Sequence, residues 1–213
     1  MNQNQAPRVL VTAGPTAEDI DPVRYLTNRS TGRMGIEMAR AVQMAGGSAT
    51  LVLGPTALPP PEGVDVVRVR SAADMAAAVL RHLPGHQALV MAAAVADYTP
   101  AEPLESKLKK KDGDLYLRLK RTTDILAAVK DSPHRAGKCV VGFSLDVGVN
   151  IAEGRRKLEE KDLDFIVVNT TASFGSDRES AVIISRYGEE HCGEIGKGEL
   201  AGILLSRIMD CLT

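Results

Sequence analysis

The stretch Arg8-Val9-Leu10-Val11-Thr12-Ala13-Gly14-Pro15-Thr16-Ala17-Glu18-Asp19-Ile20-Asp21-Pro22-Val23-Arg24-Tyr25-Leu26-Thr27-Asn28-Arg29-Ser30-Thr31-Gly32-Arg33-Met34-Gly35 decides the fold. It opens on an apolar, strand-like run, Val9 to Val11, and closes on a helix-period run that continues from Met34 to Met44. A strand-to-helix connection ordinarily takes a handful of residues, and here it takes about twenty. Many of them are Gly, Thr, Ser, Asn and Asp. A long polar loop ahead of a first helix reads as a site, because the free N–H groups at a helix N-terminus attract anions.

Working outward, short apolar runs alternate with helix-period segments. Strands are expected at Arg8–Ala13, Ala49–Leu53, Asp65–Val69, Ala88–Ala93, Cys139–Phe143 and Phe165–Asn169. Several are apolar at both parities, as in a sheet covered on both faces. Helices are expected at Arg33–Ala45, Ala72–His82, Asp124–Lys130, Ile151–Lys161 and Gly198–Cys211, with Ser71 and Thr123 as N-caps and Gly46-Gly47 as a stop. The alternation predicts an α/β fold: a Rossmann-like, doubly wound, mainly parallel sheet. Two stretches break it. Leu115 to Leu119 alternates at period two and reads as a flap or edge ribbon, and Ser180 to Tyr187 with Gly188 reads as a late hairpin.

The 213 residues predict one domain, 1–213, with 1–7 as a disordered N-terminal extension. With 44% hydrophobic but only 3% aromatic residues and no Trp, the core has to be aliphatic. A net charge of −1 argues against general attraction to nucleic acid or an anionic membrane. Cys139, Cys192 and Cys211 are far apart, form no Cys-x-x-Cys pair, and read as reduced thiols of a cytoplasmic protein. The N-terminus lacks a signal-peptide pattern, and no apolar run approaches the ~20 residues that span a bilayer.

Gly14 follows the first strand, yet Pro15-Thr16 replaces a Gly-x-Gly-x-x-Gly fingerprint, and no phosphate-binding Gly-x-x-x-x-Gly-Lys loop is present. Ser30, Thr31 and Gly32 offer hydroxyls and N–H groups at a helix start, which suits either a phosphate cradle or an ordinary capped helix. Asn28 carries both a donor and an acceptor, as a carbonyl- or amide-bearing substrate requires, or serves as a turn residue. Ala92, Ala93 and Ala94 are small residues at a strand's carboxyl end, where ligands reach the backbone in open sheets. Asp97 follows as a contact for ribose or base, or as a turn cap. Lys107-Leu108-Lys109-Lys110-Lys111 reads as a triphosphate clamp or a solvated charge run. Lys157 and Lys161 share a helix face, and Glu153 lies one turn before Lys157 as its surface ion-pair partner. The four histidines form no metal constellation. A nicotinamide-dependent reductase and a non-enzymatic nucleotide- or nucleic-acid-binding module remain alternatives, the first weakened by the missing glycines and the second by the charge balance.

Taken together, the Gly14–Gly35 loop, Ala93-Ala94-Val95-Ala96-Asp97-Tyr98, Lys107-Leu108-Lys109-Lys110, Thr123-Asp124-Ile125-Leu126, Val141-Gly142-Phe143, Lys157 with Lys161, and Asp164 to Asn169 resemble the phosphopantothenoylcysteine synthetase family of coenzyme A biosynthesis. The resemblance runs from about Arg8 to Leu212. It implies a ligase that joins 4′-phosphopantothenate to cysteine through an acyl-nucleotidylate, with CTP as the expected nucleotide and ATP as the alternative. It implies Mg²⁺ with the triphosphate, no flavin, a homodimer whose flaps exchange across a two-fold axis, and room for a separate decarboxylase partner. It places Asn28 and Lys107 in catalysis. It places Gly14, Ala92, Ala93, Ala94, Asp97, Lys107, Thr122, Thr123, Asp124, Ile125, Phe143, Lys157 and Lys161 at the nucleotide, and Asn28, Ser30, Thr31 and Gly32 at phosphopantothenate. Two positions depart from the family's pattern. Thr122-Thr123 stands where many members have Asn-Pro, and Ser144 to Gly148 stands where many have Ala-x-Glu-Thr.

Overall fold

A computed structural model describes residues 6–110, 112–170 and 176–213. β1 (Arg8–Ala13) leads into a small hairpin of β2 (Ala17–Asp19) and β3 (Tyr25–Thr27), followed by α1 (Arg33–Met44). Then come β4 (Ser48–Leu53), β5 (Asp65–Arg68), α2 (Ala72–His82) and β6 (Ala88–Met91). A second small hairpin pairs β7 (Tyr98–Pro100) with β8 (Leu119–Arg121). The chain continues through α3 (Ile125–Lys130), β9 (Cys139–Asp146), α4 (Ile151–Glu160), β10 (Phe165–Thr170), β11 (Arg178–Ser185), β12 (Gly188–Gly196) and α5 (Lys197–Leu212).

Eight strands form one sheet in the order β12-β11-β10-β9-β6-β1-β4-β5. From β5 to β10 all neighbours are parallel, and β11 and β12 extend the sheet antiparallel. The order runs outward in both directions from the β1–β6 junction, which makes that junction the topological switch point of a doubly wound sheet. Period-two alternation divides the core. Val9, Val11, Val90, Val141 and Val167 face α1 and α5, whereas Leu10, Leu89, Val140, Ile166 and Val168 face α2, α3 and α4.

The helix ends follow local chemistry. Ser71 and Asp74 form a reciprocal capping box at the start of α2. After α1, Gly46 has φ 78°, and the Gly47 N–H donates to the Val42 carbonyl at 2.9 Å, a left-handed stop that glycine permits. Gly35 lets α1 lie directly on β1, since a Cβ there would fall 2.5 Å from the Ala13 Cβ.

Four expectations need correction. The Gly14–Gly35 connection is not simply loop, because β2 and β3 pair within it. Asp124, rather than Thr123, caps α3, its Oδ1 accepting from the Ala127 N–H at 2.9 Å. The ribbon begins at Leu119, not Leu115, and its partner is β7 of the same chain. Of the expected N-terminal extension, residues 1–5 lie outside the described residues, while Pro7 is buried and its carbonyl accepts from the Ser48 N–H at 2.9 Å. The late hairpin is present as β11 and β12. No helix among the described residues is long and apolar enough to cross a membrane.

Candidate active site

A cleft of about 650 Å³ lies over the carboxyl ends of the parallel strands. Its floor is the switch point. The Ala94 N–H donates to the Gly14 carbonyl at 2.9 Å, and the Thr16 N–H donates to the Ala94 carbonyl at 3.3 Å. Two buried threonines complete the lacing. Thr12 Oγ1 accepts from the Ala93 N–H at 3.1 Å, and Thr16 Oγ1 accepts from the Ala96 N–H at 3.0 Å. The run Ala92 to Asp97 is thereby held as a fixed shelf, and it lines the cleft throughout.

Asn28 reaches this shelf from the loop after β3. Its Nδ2 donates to the carbonyls of Ala94 at 3.0 Å and Val95 at 3.2 Å. The amide donor is thus engaged, while Oδ1 accepts nothing among the described residues and lines the cleft with its residue. Ser30, Thr31 and Gly32 lead from Asn28 into α1. Ser30 Oγ accepts from the Gly32 N–H at 3.2 Å, and the Thr31 carbonyl accepts from Thr56 Oγ1 at 2.7 Å.

One wall is built from α3 and α4. Lys161 Nζ sits 2.9 Å from Asp124 and 2.8 Å from Glu160, and these bonds raise its pKa. Burial pushes the Asp124 carboxyl up, but the capping N–H of Ala127 and the Lys161 ammonium outweigh it and leave it below the usual carboxylate range. Lys157 Nζ donates to Ser144 Oγ at 3.1 Å and lies 3.6 Å from Glu153. The Arg156 guanidinium lowers the Glu153 carboxyl to about 2. The two departures from the family pattern fall within this region: Ser144 supports Lys157, and Thr122 Oγ1 donates to the Ala96 carbonyl at 2.6 Å. Thr123, Ile125 and half-buried Phe143 complete this side.

The opposite wall comes from α1, β10, β11 and the start of α5. Arg33 pairs with Asp177 at 3.1 Å. Behind them lie the buried side chains of Asn169, Glu179 and Lys197. Asn169 belongs to an expected strand, but Glu179 and Lys197 were absent from the sequence-derived site. A signal existed: Glu179 shares its parity with core residues Ala181 and Ile183, as Asn169 does with Val167.

Two expected residues do not line the cleft. Gly14 lies beneath it, its left-handed turn (φ 83°) packed against Gly32 and Gly54. Lys107 is exposed on the segment between β7 and β8. The base of that segment is latched to the loop before β3. Asp21 Oδ2 accepts from the Leu108 N–H at 3.0 Å, and Arg24 Nη2 donates to the Leu108 carbonyl at 2.7 Å. Burial pushes the Asp21 carboxyl up, but the Arg24 guanidinium and three backbone N–H groups hold it well below its ordinary value. Lys111 of the same cluster lies outside the described residues.

Among the described residues, the one group of side chains able to converge on a metal ion is Cys139, Asp164 and Cys211, away from the cleft. Burial pushes the Cys139 thiol far up, and Asp164 already receives Arg135 at 3.1 Å. Neither feature suits a cation.

Residues 4–212 match the family model described as the DNA/pantothenate metabolism flavoprotein C-terminal domain. The crystal structure of the C-terminal domain of a coenzyme A biosynthesis bifunctional protein CoaBC superposes with TM-score 0.84 at 34% identity, covering 100% of this chain and 98% of that one. CoaBC of Bacillus subtilis is 40% identical over 187 residues, 85% of this chain and 46% of that protein. A cysteine/cysteine sulfinic acid decarboxylase from an unknown prokaryotic organism is 38% identical over 208 residues, 95% of this chain and 58% of that protein. The chain thus spans about half the length of the curated relatives it matches. It belongs to the family of DNA/pantothenate metabolism flavoprotein C-terminal domains, the family to which its resemblance to phosphopantothenoylcysteine synthetase points.

Proposed function

We propose that this chain joins 4′-phosphopantothenate to L-cysteine at the expense of a nucleoside triphosphate, with CTP preferred over ATP. The observation that carries this reading is the switch-point cleft, in which Asn28 is moored to the Ala94–Val95 shelf between the α1 N-terminus and the lysines of α4. A carboxylate is a poor acyl donor until one of its oxygens becomes a leaving group. The pantothenate carboxylate therefore attacks the α-phosphorus and releases pyrophosphate, and the cysteine amine then displaces the nucleoside monophosphate.

The two sides of the cleft divide this work. Lys157 and Lys161 offset phosphate charge, and the shelf backbone and Phe143 flank the base and ribose. The start of α1, with Ser30, Thr31 and Gly32, receives phosphopantothenate, since N–H groups at a helix N-terminus favour anions. Asn28 Oδ1 accepts the amide N–H of the pantothenoyl chain while Nδ2 keeps its mooring, which orients the acyl carbon over the shelf. Mg²⁺ arriving with the triphosphate supplies further charge compensation. Asp97, exposed in the cleft and without a side-chain hydrogen bond or ion pair among the described residues, fits such an ion, which normally takes one or two carboxylates plus phosphates.

Lys107 stands outside the cleft of its own chain, so in this reading it serves the triphosphate of a second copy. Leu115, Tyr116 and Leu117 are 60%, 88% and 40% exposed, an apolar surface suited to a homodimer contact. A decarboxylase domain or subunit, in a cytoplasmic setting, is the expected partner.

The decisive experiment measures pyrophosphate and nucleoside monophosphate release with each of four nucleoside triphosphates, with and without phosphopantothenate and cysteine. Cysteine-dependent monophosphate release with CTP bears out the reading. Better turnover with ATP overturns the nucleotide preference alone, and release without phosphopantothenate overturns the ligase. Mixing Asn28→Asp with Lys107→Gln protein tests the exchange of flaps: activity returns in the mixture only if Lys107 acts on the other copy's cleft.

A further inference from the structure

Among the described residues, the buried polar atoms of the cleft without a hydrogen-bond partner are on the α1/α5 side. Asn169 is 7% and Glu179 4% exposed. Asn169 Nδ2 donates to Glu179 Oε2 at 2.9 Å, yet Asn169 Oδ1 and Glu179 Oε1 meet no donor among the described residues. Strand parity aims both into the α1/α5 half of the molecule: Asn169 follows Val167 on β10, and Glu179 precedes Ala181 and Ile183 on β11. An apolar pair would fill this space without leaving buried acceptors open, and acceptors buried without donors are rare in folded proteins. Two buried acceptors on residues that line a cleft are what a ligand with N–H donors would complete.

The surroundings narrow the ligand. A phosphate or carboxylate would bring only acceptors against acceptors. A divalent cation requires several more oxygen ligands than these two, and its double charge would meet the Lys197 ammonium, within electrostatic reach of Glu179, and the nearby Arg33 guanidinium twice as strongly as a single charge does. A protonated amine brings directed N–H donors and a single charge, matching one carboxylate oxygen and one amide oxygen. An amide-forming ligase must hold an incoming amine for its second step; the held ammonium gives one proton to water of the cleft, and the neutral amine then attacks the acyl carbon as the nucleoside monophosphate leaves.

The geometry points to Glu179 and Asn169 as the seat of the ammonium group of the incoming amino acid, an assignment that rests on the ligase reading. Lys197 braces the seat. Its Nζ donates to the Ser176 carbonyl at 2.8 Å, and the Arg33–Asp177 pair flanks the seat on the α1 side. The amine then enters from the α1/α5 wall while the nucleotide lies along the α3/α4 wall, so the acyl carbon above the shelf is approached from the side opposite the phosphates.

The test separates the two half-reactions. Pyrophosphate release is followed in a rapid-quench burst with phosphopantothenate and nucleotide but no cysteine, and steady-state turnover is followed against cysteine concentration. Glu179→Gln is expected to raise the KM for cysteine about 10–100-fold, the range for losing a charge-assisted hydrogen bond. The pyrophosphate burst is expected to keep its amplitude. Asn169→Ala is expected to shift the same KM in the same direction by less. The burst and a thermal melt confirm that each variant is folded. An unchanged KM for cysteine in Glu179→Gln overturns the proposal and leaves the ligase reading intact, as does a burst that falls in parallel with turnover. A wild-type protein with no burst overturns the ligase reading and the amine seat with it.

Discussion

The two walls of the cleft handle charge in opposite ways. On the α3/α4 wall every ammonium named here has a partner close by. Lys161 has Asp124 and Glu160, Lys157 has Glu153 and Ser144, and much of this surface is open to water. On the α1/α5 wall, Glu179 and Asn169 are buried and half-satisfied. Exposed pairs are weak and exchange partners at little cost. In the proposed ligase they suit a wall that releases its own carboxylates to grip a triphosphate. Buried, open acceptors are fixed and costly, and they suit a wall that waits for one group of defined shape. Under that proposal, one cleft combines an adaptable anion grip with a preorganised seat.

The largest effect expected comes from breaking the first wall. Lys161→Met should weaken nucleoside triphosphate binding about 10–100-fold, from losing a charged hydrogen bond of roughly 1.5–3 kcal/mol. Calorimetric titration measures it. Unchanged affinity would mean that Lys161 stays with Asp124 and Glu160 and that the wall is only structural. Raising the salt concentration should weaken the same titration, because exposed charges are screened.

Next is the piece both walls share. Gly35→Ala would drive a methyl to within 2.5 Å of the Ala13 Cβ and the Thr12 carbonyl, where α1 meets β1. Overpacking of this kind costs about 1–3 kcal/mol. The melting temperature should fall by several degrees, and activity should drop as the Ser30–Gly32 turn shifts. A variant with normal stability would show that the helix and strand can separate without disturbing the site.

Glu179→Gln sharpens the contrast from the other side. Its amide can donate to Asn169 Oδ1, which meets no donor among the described residues, and the carboxylate's own desolvation cost is removed while the Lys197 ammonium keeps the Ser176 carbonyl. Stability should rise by about 0.5–2 kcal/mol, the common gain when a functional strain is relieved. A fall in the denaturation midpoint would instead make the carboxylate a structural member of the α1/α5 wall.

The smallest effect is on pH dependence. Asp21, Asp74 and Asp124 all have folded-state pKa values below their ordinary ones. A depressed carboxylate contributes stability above its unfolded pKa, near 4 (about 3.9 for Asp), and loses it as pH falls toward the folded value. Stability should therefore be flat with respect to these groups above about pH 4 and decline below it. The Asp21 latch should release in the same window, seen as faster proteolysis of the segment between β7 and β8. Cleavage that is already maximal at neutral pH would show that Asp21 does not tether that segment.

The sheet was legible from the chain because buried parallel strands must be apolar on both parities, and Val9 to Val11, Ala88 to Met91 and Phe165 to Asn169 carry that mark. Helix limits were legible where a side chain or glycine acts locally, as at Ser71 and Gly46. The β2–β3 pairing was hidden because its three-residue strands are too short for periodicity to register. The cap of α3 is ambiguous in the sequence because Thr123 and Asp124 are both good caps, and only the geometry around the Ala127 N–H chooses between them.

The candidate site divides in the same way. The sequence by itself determined the shelf, the loop to α1 and the lysines of α4, since each is a local cluster of small, polar or charged residues. Only the tertiary structure decided that Asn28 spends its donor on Ala94 and Val95, that Lys107 stands outside its own cleft, and that Glu179 lies buried opposite Lys161. These depend on contacts between residues far apart along the chain. Such contacts follow from strand order and burial, which no local pattern of residues encodes.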